Sequence, residues 1–377
     1  MNKKIAIIIV NYKDYAQKFL RECRDSLREQ NYPKELFQVY IVDNATSSET
    51  RSYLKRMYAE AFVVPRDDGN YAAANNAGIK AGRVDGCEYF VIANMDTRFD
   101  RNWLSELIMA IDEYDNVGIA QSKILLYPKE GFKEEAKKLT SNVKSFGMSI
   151  AKEEYRDHKI NSIGNILHFL GFGFTDGYDE ADRAIEGYPE IKGYASGCSF
   201  IIKKAVLDKI GGYNEEYYMY HDDIEMSLKT RLAGYRISLA PKSVVYHKYE
   251  FLRSMKMVYQ MERNRYLVMF HFYKLSTILI LLPIVVLMDL GMLLYSIVNG
   301  WIGAKVDVYK YFLKIGTWRK IKETRETLRA MRKIDDVKFT KDFVAKIDFQ
   351  EINNPVLEYI ANPVMVVYWK IAKKLIR

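Results

Sequence analysis

The chain has 377 residues, 49% of them apolar, so it is long enough for one large domain or two ordinary ones with a sizeable core. Its 57 Lys and Arg residues exceed the 48 Asp and Glu residues, giving a formal charge of +9. The three cysteines, Cys23, Cys87 and Cys198, lie far apart without metal-binding spacing. This composition excludes a disordered chain and a disulfide framework, and it indicates a reducing compartment.

The first 125 residues alternate short apolar runs with helical patterns. The first run, 5–12, is shorter than a signal peptide requires, so it is interpreted as a buried strand. The predicted strands are 5–12, 38–44, 62–66, 88–94 and 117–125, and the predicted helices are 15–30, 48–58, 72–81 and 102–114. This alternation predicts βαβ units and a mostly parallel sheet.

Three predicted strands end in polar residues: Asn11-Tyr12, Asp43-Asn44 and Asn94–Asp96. The carboxyl ends of parallel strands meet at one edge of a sheet, where ligands bind, so these residues predict one site. A dinucleotide-binding dehydrogenase is excluded because the glycine fingerprint is missing after the first strand.

Residues 128–192 are charged and contain glycines, and we interpret them as an insertion with a possible hairpin in SIGNILHFLGFGFTDGY. Regular structure resumes with a predicted strand at 199–203 and a short helix at 204–210. We expect residues 1–250 to form the α/β domain and residues 251–377 a helical C-terminal region.

The C-terminal region contains an apolar run, 275–304, with one charged residue, Asp289. About 20 apolar residues can cross a bilayer, so the run indicates a membrane segment or, alternatively, a buried core helix. Residues 305–341 carry 12 Lys or Arg against 5 Asp or Glu. Beside an apolar segment, such a charge favours membrane lipid over nucleic acid as the partner. The terminal stretch 362–377 is amphipathic and suits an interfacial helix.

Several motifs occur in order: VNYKD, VYIVDNATS, DDGNYAAANNAGI, FVIANMDT, HDDIEMSLKTRLAGY, SVVYH and QMERN. Together they resemble the family-2 glycosyltransferases, particularly a rhamnosyltransferase-like branch, over residues 3–270. The resemblance implies a GT-A fold, which is a Rossmann-like sheet flanked by helices. It also implies a nucleotide-diphospho-sugar donor, here dTDP-rhamnose or a UDP-hexose.

A divalent cation, Mg²⁺ or Mn²⁺, stabilises the diphosphate that leaves in such a transfer. The resemblance aligns Asn94-Met95-Asp96 with the family's metal-binding motif, so Asp96 is the implied ligand and Asn94 a neutral donor-binding partner. It makes His247 the second ligand. From the residues alone, the alternative for Asp96 is a cap of the helix after the strand, and a single His after an apolar strand is often structural.

An acceptor hydroxyl needs a carboxylate to take its proton. The pair Asp222-Asp223 aligns with the family's acidic pair, which makes Asp223 the implied catalytic base and Asp222 its neighbour. Adjacent acids are also ordinary at a helix N-terminus. Ser196 and Gly197 are expected under the acceptor, because small residues leave room there.

The implied donor-binding residues are Asn11, Tyr12 and Asp43 near the base and ribose, and Arg66, Asn70, Asn75 and Arg263 near the sugar or diphosphate. Core packing is the alternative for Tyr12, and a helix salt bridge with Glu262 or a neighbour is the alternative for Arg263. In QMERN, Asn264 occupies the position of the tryptophan of the QxxRW motif of processive synthases, which favours addition of a single sugar.

The resemblance implies an inverting, metal-dependent transferase; the alternatives are an inactive nucleotide or glycan binder and a membrane scaffold. Nucleotide sugars are cytosolic, so the α/β domain is expected on the cytoplasmic face. A simple span at 275–304 would then put the basic segment outside, so Pro283, Asp289, Gly291 and Gly300 favour a re-entrant hairpin. A polyprenyl-diphosphate-linked saccharide is the expected acceptor.

Overall fold

The computed structural model describes residues 3–44, 47–128, 158–248, 257–348 and 355–377. Its strands are β1 (Ile5–Tyr12), β2 (Phe37–Asn44), β3 (Phe62–Arg66), β4 (Tyr89–Ala93), β5 (Thr97–Phe99), β6 (Val117–Leu126), β7 (Ile160–Ser162), β8 (Asn165–Leu167), β9 (Gly173–Thr175), β10 (Ser199–Lys203) and β11 (Arg236–His247).

Its helices are α1 (Tyr15–Arg28), α2 (Ser48–Met57), α3 (Tyr71–Val84), α4 (Trp103–Asp112), α5 (Lys204–Ile210), α6 (Asp222–Leu232), α7 (Val258–Phe272), α8 (Leu275–Val298), α9 (Ile302–Leu313), α10 (Ile315–Met331), α11 (Asp336–Phe339) and α12 (Asn362–Leu375). Each predicted strand and helix of the first 125 residues is present, with ends shifted by at most three residues.

One sheet with the strand order β3-β2-β1-β4-β10-β6-β11-β5 forms the centre of the α/β part, and β7 pairs with β6. The run Ile5–Ile9 of β1 is fully buried, because helices cover both faces of a central strand. The predicted α/β class is confirmed. The sheet is mixed rather than mostly parallel, since β10 enters antiparallel between β4 and β6.

The sheet register brings the polar strand ends to one edge. Asn11 pairs with Asp43 across the parallel strands β1 and β2, and Ile9 pairs with Ala93, directly before the Asn94–Asp96 turn. On the other side of the sheet, β11 pairs antiparallel with β5, and this places His247 opposite Thr97. Two segments 150 residues apart therefore meet beside Asp96.

The predicted insertion, 128–192, lies partly outside the described residues, which leave out 129–157. The predicted hairpin is present, with β8 and β9 paired antiparallel. Its apolar side chains, including Phe169 and Phe172, share one core with α6 and the helices of the C-terminal region. The α/β part and the C-terminal helices are thus packed through a common apolar core.

The apolar run forms the continuous helix α8, which accommodates Pro283. A turn follows at residues 299–301, where Gly300 has a φ of +75°, a value that favours glycine. Helix α9 then folds back, and Lys305 reaches Asp289 of α8. Within the described residues, α8 is the helix whose length and composition would suffice to cross a bilayer, which by itself is weak evidence for a membrane segment.

Candidate functional site

A cavity of about 440 Å³ opens at the carboxyl edge of the sheet. Of the residues named from the sequence, its lining includes Tyr12, Asn94, Asp96, Ser196, Gly197, Asp222, Asp223 and His247. The sheet edge supplies the first three, the segment before β10 supplies Ser196 and Gly197, the start of α6 supplies the acids, and β11 ends in His247. The cavity thus brings both candidate metal ligands and both candidate catalytic acids together.

Asp96 lies in the turn between β4 and β5, and it is 7% exposed. The next helix begins at Trp103, so Asp96 does not cap it. The turn is braced on several sides. The Asn94 N–H donates to the Cys198 carbonyl (3.0 Å), Thr97 Oγ1 donates to the Asn94 carbonyl (2.6 Å), and the Tyr71 hydroxyl donates to Asn94 Oδ1 (3.2 Å). The position of Asp96 is therefore well defined.

His247 Nε2 lies 3.5 Å from Asp96 Oδ1. The other ring nitrogen, Nδ1, lies 2.9 Å from Asn161 Oδ1. An amide oxygen only accepts hydrogen bonds, so Nδ1 must carry the proton in this contact. In the neutral form of His247, the lone pair of Nε2 then points toward Asp96, as in a metal-binding histidine held by a second residue.

Charge also acts on this histidine. Burial lowers the pKa of His247, but the nearby Cys198 and Asp96 groups outweigh burial, and the pKa is raised well above its ordinary value. Negative charge next to the imidazole favours any positive partner, either a proton or a cation.

The pair Asp96–His247 fits a divalent cation as two ligands out of six. Mg²⁺ and Mn²⁺ typically take one or two protein ligands and complete their shell with water and substrate phosphates. Within the described ranges, no group of three or more His, Cys, Asp or Glu side chains could hold an ion. Water and a bound donor diphosphate would therefore have to supply the remaining oxygens.

Asp223 faces the cavity from the first turn of α6. Its Oδ2 accepts from the Gly197 N–H (3.2 Å) and its Oδ1 accepts from the Ile224 N–H (2.9 Å). Burial raises the pKa of Asp223 to about 6, although both hydrogen bonds oppose the rise. Burial and then the charge of Asp223 raise the pKa of Asp222 well above its ordinary value. Asp223 is thus a carboxylate that exchanges a proton near neutral pH.

A turn with unusual backbone geometry precedes these acids. Tyr218, Tyr220 and His221 have φ values of 63°, 63° and 59°, a region that costs non-glycine residues of the order of 1–3 kcal/mol each. Asn264 Nδ2 holds this turn by donating to the carbonyls of residues 217, 219 and 220, at 2.8, 3.0 and 2.7 Å. The His221 ring adds a contact from Nε2 to the Gly171 carbonyl (3.1 Å).

The expected role of Arg263 as a diphosphate clamp does not agree with its position. Its guanidinium donates to the carbonyls of Glu216 (2.7 Å) and Tyr217 (3.1 Å), and to Asn264 Oδ1. The alternative salt bridge between Arg263 and Glu262 is not formed either, because Glu262 pairs with Arg265. Arg263 and Asn264 of QMERN together hold the turn that leads to Asp222.

Besides Arg263, five predicted donor-binding residues lie outside the cavity lining: Asn11, Asp43, Arg66, Asn70 and Asn75. Asn11 and Asp43 are buried and bonded to each other (2.9 Å), and Asn11 Oδ1 accepts from the Ala16 N–H. Arg66 forms an ion pair with Asp68, and Asn70 caps α3 by accepting from the Ala73 N–H (3.0 Å). These contacts shape the sheet edge next to the cavity.

Asn75, predicted to lie near the sugar or diphosphate, is fully buried in α3. Its Nδ2 donates to the Tyr71 carbonyl (3.1 Å), and its Oδ1 has no hydrogen-bond partner among the described residues. Sequence reasoning assigned Asn75 from a small, polar motif, and such a motif does not show which of its side chains point inward.

Sequence reasoning also missed Asn161, Tyr71 and His221, although the first orients His247, the second contacts Asn94 and the third lines the cavity. Asn161 lies in the insertion, where no motif marks it. Only the adjacency of His221 to the acidic pair was a usable signal.

Residues 6–176 match the model of glycosyl transferase family 2. This part of the chain is therefore family-2 glycosyltransferase-like, and its α/β sheet agrees with the GT-A fold expected from the motifs. The match includes Asp96 and Asn161. It ends before Asp222, Asp223 and His247, which the fold brings to the same cavity.

One curated relative, uncharacterized protein y4gI of Sinorhizobium fredii, is 27% identical over 218 residues, which are 56% of this chain and 21% of that protein. The chain thus spans about a fifth of the length of the curated relative it matches.

Three similar solved structures have low identity to this chain. GalNAc-T7 with UDP, GalNAc and Mn²⁺ is 13% identical, with a TM-score of 0.48, over 66% of this chain and 43% of its own. Staphylococcus aureus TarS 1-349 with UDP is 16% identical, with a TM-score of 0.46, over 98% of this chain and 90% of its own. The mannosyltransferase PcManGT from Pyrobaculum calidifontis with GDP-Man and Mn²⁺ is 14% identical, with a TM-score of 0.45, over 99% of this chain and 84% of its own.

Proposed function

We propose that this glycosyltransferase-like chain is an inverting, metal-dependent enzyme that adds a single sugar to a membrane-bound saccharide. The observation that carries this proposal is the cavity in which Asp96 and His247 lie with the acidic pair Asp222-Asp223. A transfer by single displacement needs a cation at the leaving diphosphate and a base at the acceptor hydroxyl.

In this mechanism the oxygen of the acceptor hydroxyl attacks the anomeric carbon of the donor, and the bond from that carbon to the diphosphate breaks. Asp223 accepts the proton of the hydroxyl during the attack. A base works best when its pKa lies near the working pH, and the pKa of Asp223, about 6, meets that condition. The Gly197 N–H donates to Oδ2 of Asp223 and orients the carboxylate. The small residues Ser196 and Gly197 leave space next to it for the acceptor.

Asp96 and His247 would hold the divalent cation, Mg²⁺ or Mn²⁺. When bound, such an ion stabilises the negative charge of the departing diphosphate. Asn161 accepts from the Nδ1–H of His247, so Nε2 would be the ring nitrogen that faces the cation, which would take the place of a proton there. Asn94 and Tyr12 line the same cavity and would contact the donor.

The donor we propose is dTDP-rhamnose or a UDP-hexose, as the motifs suggest, and the acceptor a polyprenyl-diphosphate-linked saccharide at the cytoplasmic face. The exposed apolar surface of α8 supports an acceptor held at a membrane. Addition of a single sugar is supported by Asn264, whose amide is occupied with main-chain carbonyls in place of a tryptophan that stacks on a sugar.

The test is a panel of nucleotide sugars measured with the purified chain, with and without Mn²⁺, by thermal shift and by sugar transfer. We expect one donor to raise the melting temperature more in the presence of the metal. Asp96→Asn should abolish the metal dependence of that shift, and Asp223→Asn should abolish transfer while donor binding persists. Asp208→Asn, on the far surface of α5, is the control. Donor binding without transfer in the unmodified chain would favour an inactive binder.

A further inference from the structure

The C-terminal region carries two neighbouring stripes of exposed apolar side chains, which we call the apolar platform. On α8 the stripe repeats every three or four residues, and each member is at least 47% exposed: Leu279, Leu282, Val286, Leu290, Leu294 and Ile297. On α12 the stripe consists of Val364, Val367, Ile371 and Leu375. Exposed apolar stripes of this kind mark a contact with a partner or a membrane.

The two helices run antiparallel, side by side. The Tyr368 hydroxyl donates to the Ile280 carbonyl (2.6 Å), and Lys274 Nζ donates to the Arg377 carbonyl (3.2 Å). As residue numbers rise along α8, the contacted positions on α12 fall. The stripe of α12 therefore lies next to the first half of the α8 stripe.

The opposite face of α8 is attached to the protein along nearly its whole length. At its start, the Lys274 N–H (2.8 Å) and Thr277 Oγ1 (2.5 Å) both donate to Asp336 Oδ2. In the middle, Leu281 and Ile284 are buried, and near its end Ser296 is fully buried. From residue 277 to residue 296 this is roughly 28 Å of helix, close to the thickness of a hydrocarbon core.

The inner contacts include buried charges. Asp289 Oδ1 accepts from Lys305 Nζ (2.6 Å), and Lys305, which is fully buried, also pairs with Glu262 (3.0 Å). Glu262 in turn pairs with Arg265. If α8 crossed the bilayer, this network and the helices that carry it would lie at mid-membrane depth, where each charge is costly.

We propose that the apolar platform lies in the plane of one membrane leaflet, with its exposed stripes in lipid, and that α8 does not cross the bilayer. This inference rests on the membrane-surface part of the proposed function and replaces the choice between a span and a re-entrant hairpin. The basic residues next to the stripe identify the lipid. Lys370, Lys374 and Arg377 are exposed, and residues 362–377 contain no Asp or Glu. Anionic headgroups suit such a helix.

Binding of the full chain to vesicles tests the platform. With vesicles that contain phosphatidylglycerol, Leu279→Asp/Leu290→Asp should weaken binding at least ~100-fold, because two exposed apolar contacts become charged. Val84→Asp changes an apolar residue that is 81% exposed on α3, outside the platform, and should leave binding unchanged. Lys370→Gln/Lys374→Gln should weaken binding roughly 10-fold on anionic vesicles and little on neutral ones.

Depth measurements distinguish an in-plane helix from a span. Three single variants, Leu275→Cys, Val286→Cys and Ile297→Cys, would carry a fluorophore, with lipid-attached quenchers at known depths; the native cysteines are buried. Equal, shallow depths at all three positions support the platform. A deep Val286 between two shallow ends would overturn it and show a span. Absence of vesicle binding, with a dimer that Leu290→Asp dissociates, would overturn it in favour of a second copy.

Transfer to a water-soluble acceptor should be unchanged in the platform variants. If vesicle binding fails while transfer persists, the membrane inference fails and the proposed enzyme stands. If transfer is absent and vesicle binding persists, the enzyme proposal fails and the platform stands.

Discussion

Replacing Asp223 by Asn should make the protein more stable at neutral pH while it abolishes sugar transfer. Burial raises the pKa of Asp223 from its ordinary value of 3.8 to about 6. A carboxyl group whose pKa is raised in the folded state binds its proton more tightly there. Its contribution to stability is therefore complete below pH 3.8 and is lost as the pH rises through about 6. Asn resembles the protonated form at every pH.

The expected gain follows from this difference in pKa. The ionised side chain costs about 3 kcal/mol of unfolding free energy at pH 7.5. Asn keeps one acceptor oxygen and so loses one of the two backbone hydrogen bonds, worth about 1 kcal/mol. Solvent in the cavity screens the charge further, so we expect a net gain of about 1–2 kcal/mol.

The assay is chemical denaturation of both proteins from pH 4.5 to pH 8, together with sugar transfer. The gain should be largest at pH 7.5 and disappear toward pH 4.5. Asp208→Asn should instead reduce stability at pH 7.5. Lys204 and Arg83 lower the pKa of Asp208, so its ionised form stabilises the folded state and the substitution removes that contribution. Loss of stability in Asp223→Asn that is equal at all pH values would refute the reasoning.

Three further changes test a positioning residue, a buried ion pair and a close approach of two backbone segments. Asn264→Ala removes the side-chain contacts to three main-chain carbonyls before the acidic pair. We expect kcat to fall at least ~10-fold while the donor KM stays nearly unchanged. An equal change in kcat and KM would contradict a positioning role. Lys123→Met removes the buried ion pair with Asp182 and should lower the free energy of unfolding by about 3–5 kcal/mol. The matched change in an exposed ion pair, Lys159→Met, should lower it by less than about 1 kcal/mol. Gly193→Ala places a Cβ 2.0 Å from a main-chain oxygen and should cost at least ~2 kcal/mol, while Gly316→Ala, which meets open space, should stabilise the helix slightly in thermal unfolding.

Local patterns in the sequence determined most of the elements. The run Ile5–Ile9 is apolar throughout because both of its faces are covered, and this pattern predicts a central strand without knowledge of its neighbours. The polar residues after β1, β2 and β4 predicted a shared edge, since parallel strands end together. The α/β class and the position of the Asn94–Asp96 turn could therefore be predicted.

Side-chain orientation could not be predicted from the same patterns. Asn75 and Arg263 belong to motifs that suggest ligand contacts, yet one is buried in α3 and the other binds main-chain carbonyls. A motif specifies residue types and spacing, but the packing of neighbouring elements decides which group a side chain meets. The antiparallel entry of β10 likewise depends on how the chain returns from the insertion.

The sequence by itself thus determined the α/β class, the polar edge of the sheet and the presence of an apolar C-terminal segment. The family resemblance paired His247 with Asp96, but no local pattern did, because that contact depends on the pairing of β11 with β5 across 150 residues and only the tertiary structure shows it. The tertiary structure also shows that Asn161 orients His247 and that Asp289, on the inner face of α8, binds Lys305. Such contacts arise from the register and packing of distant segments, and local sequence patterns contain no information about either.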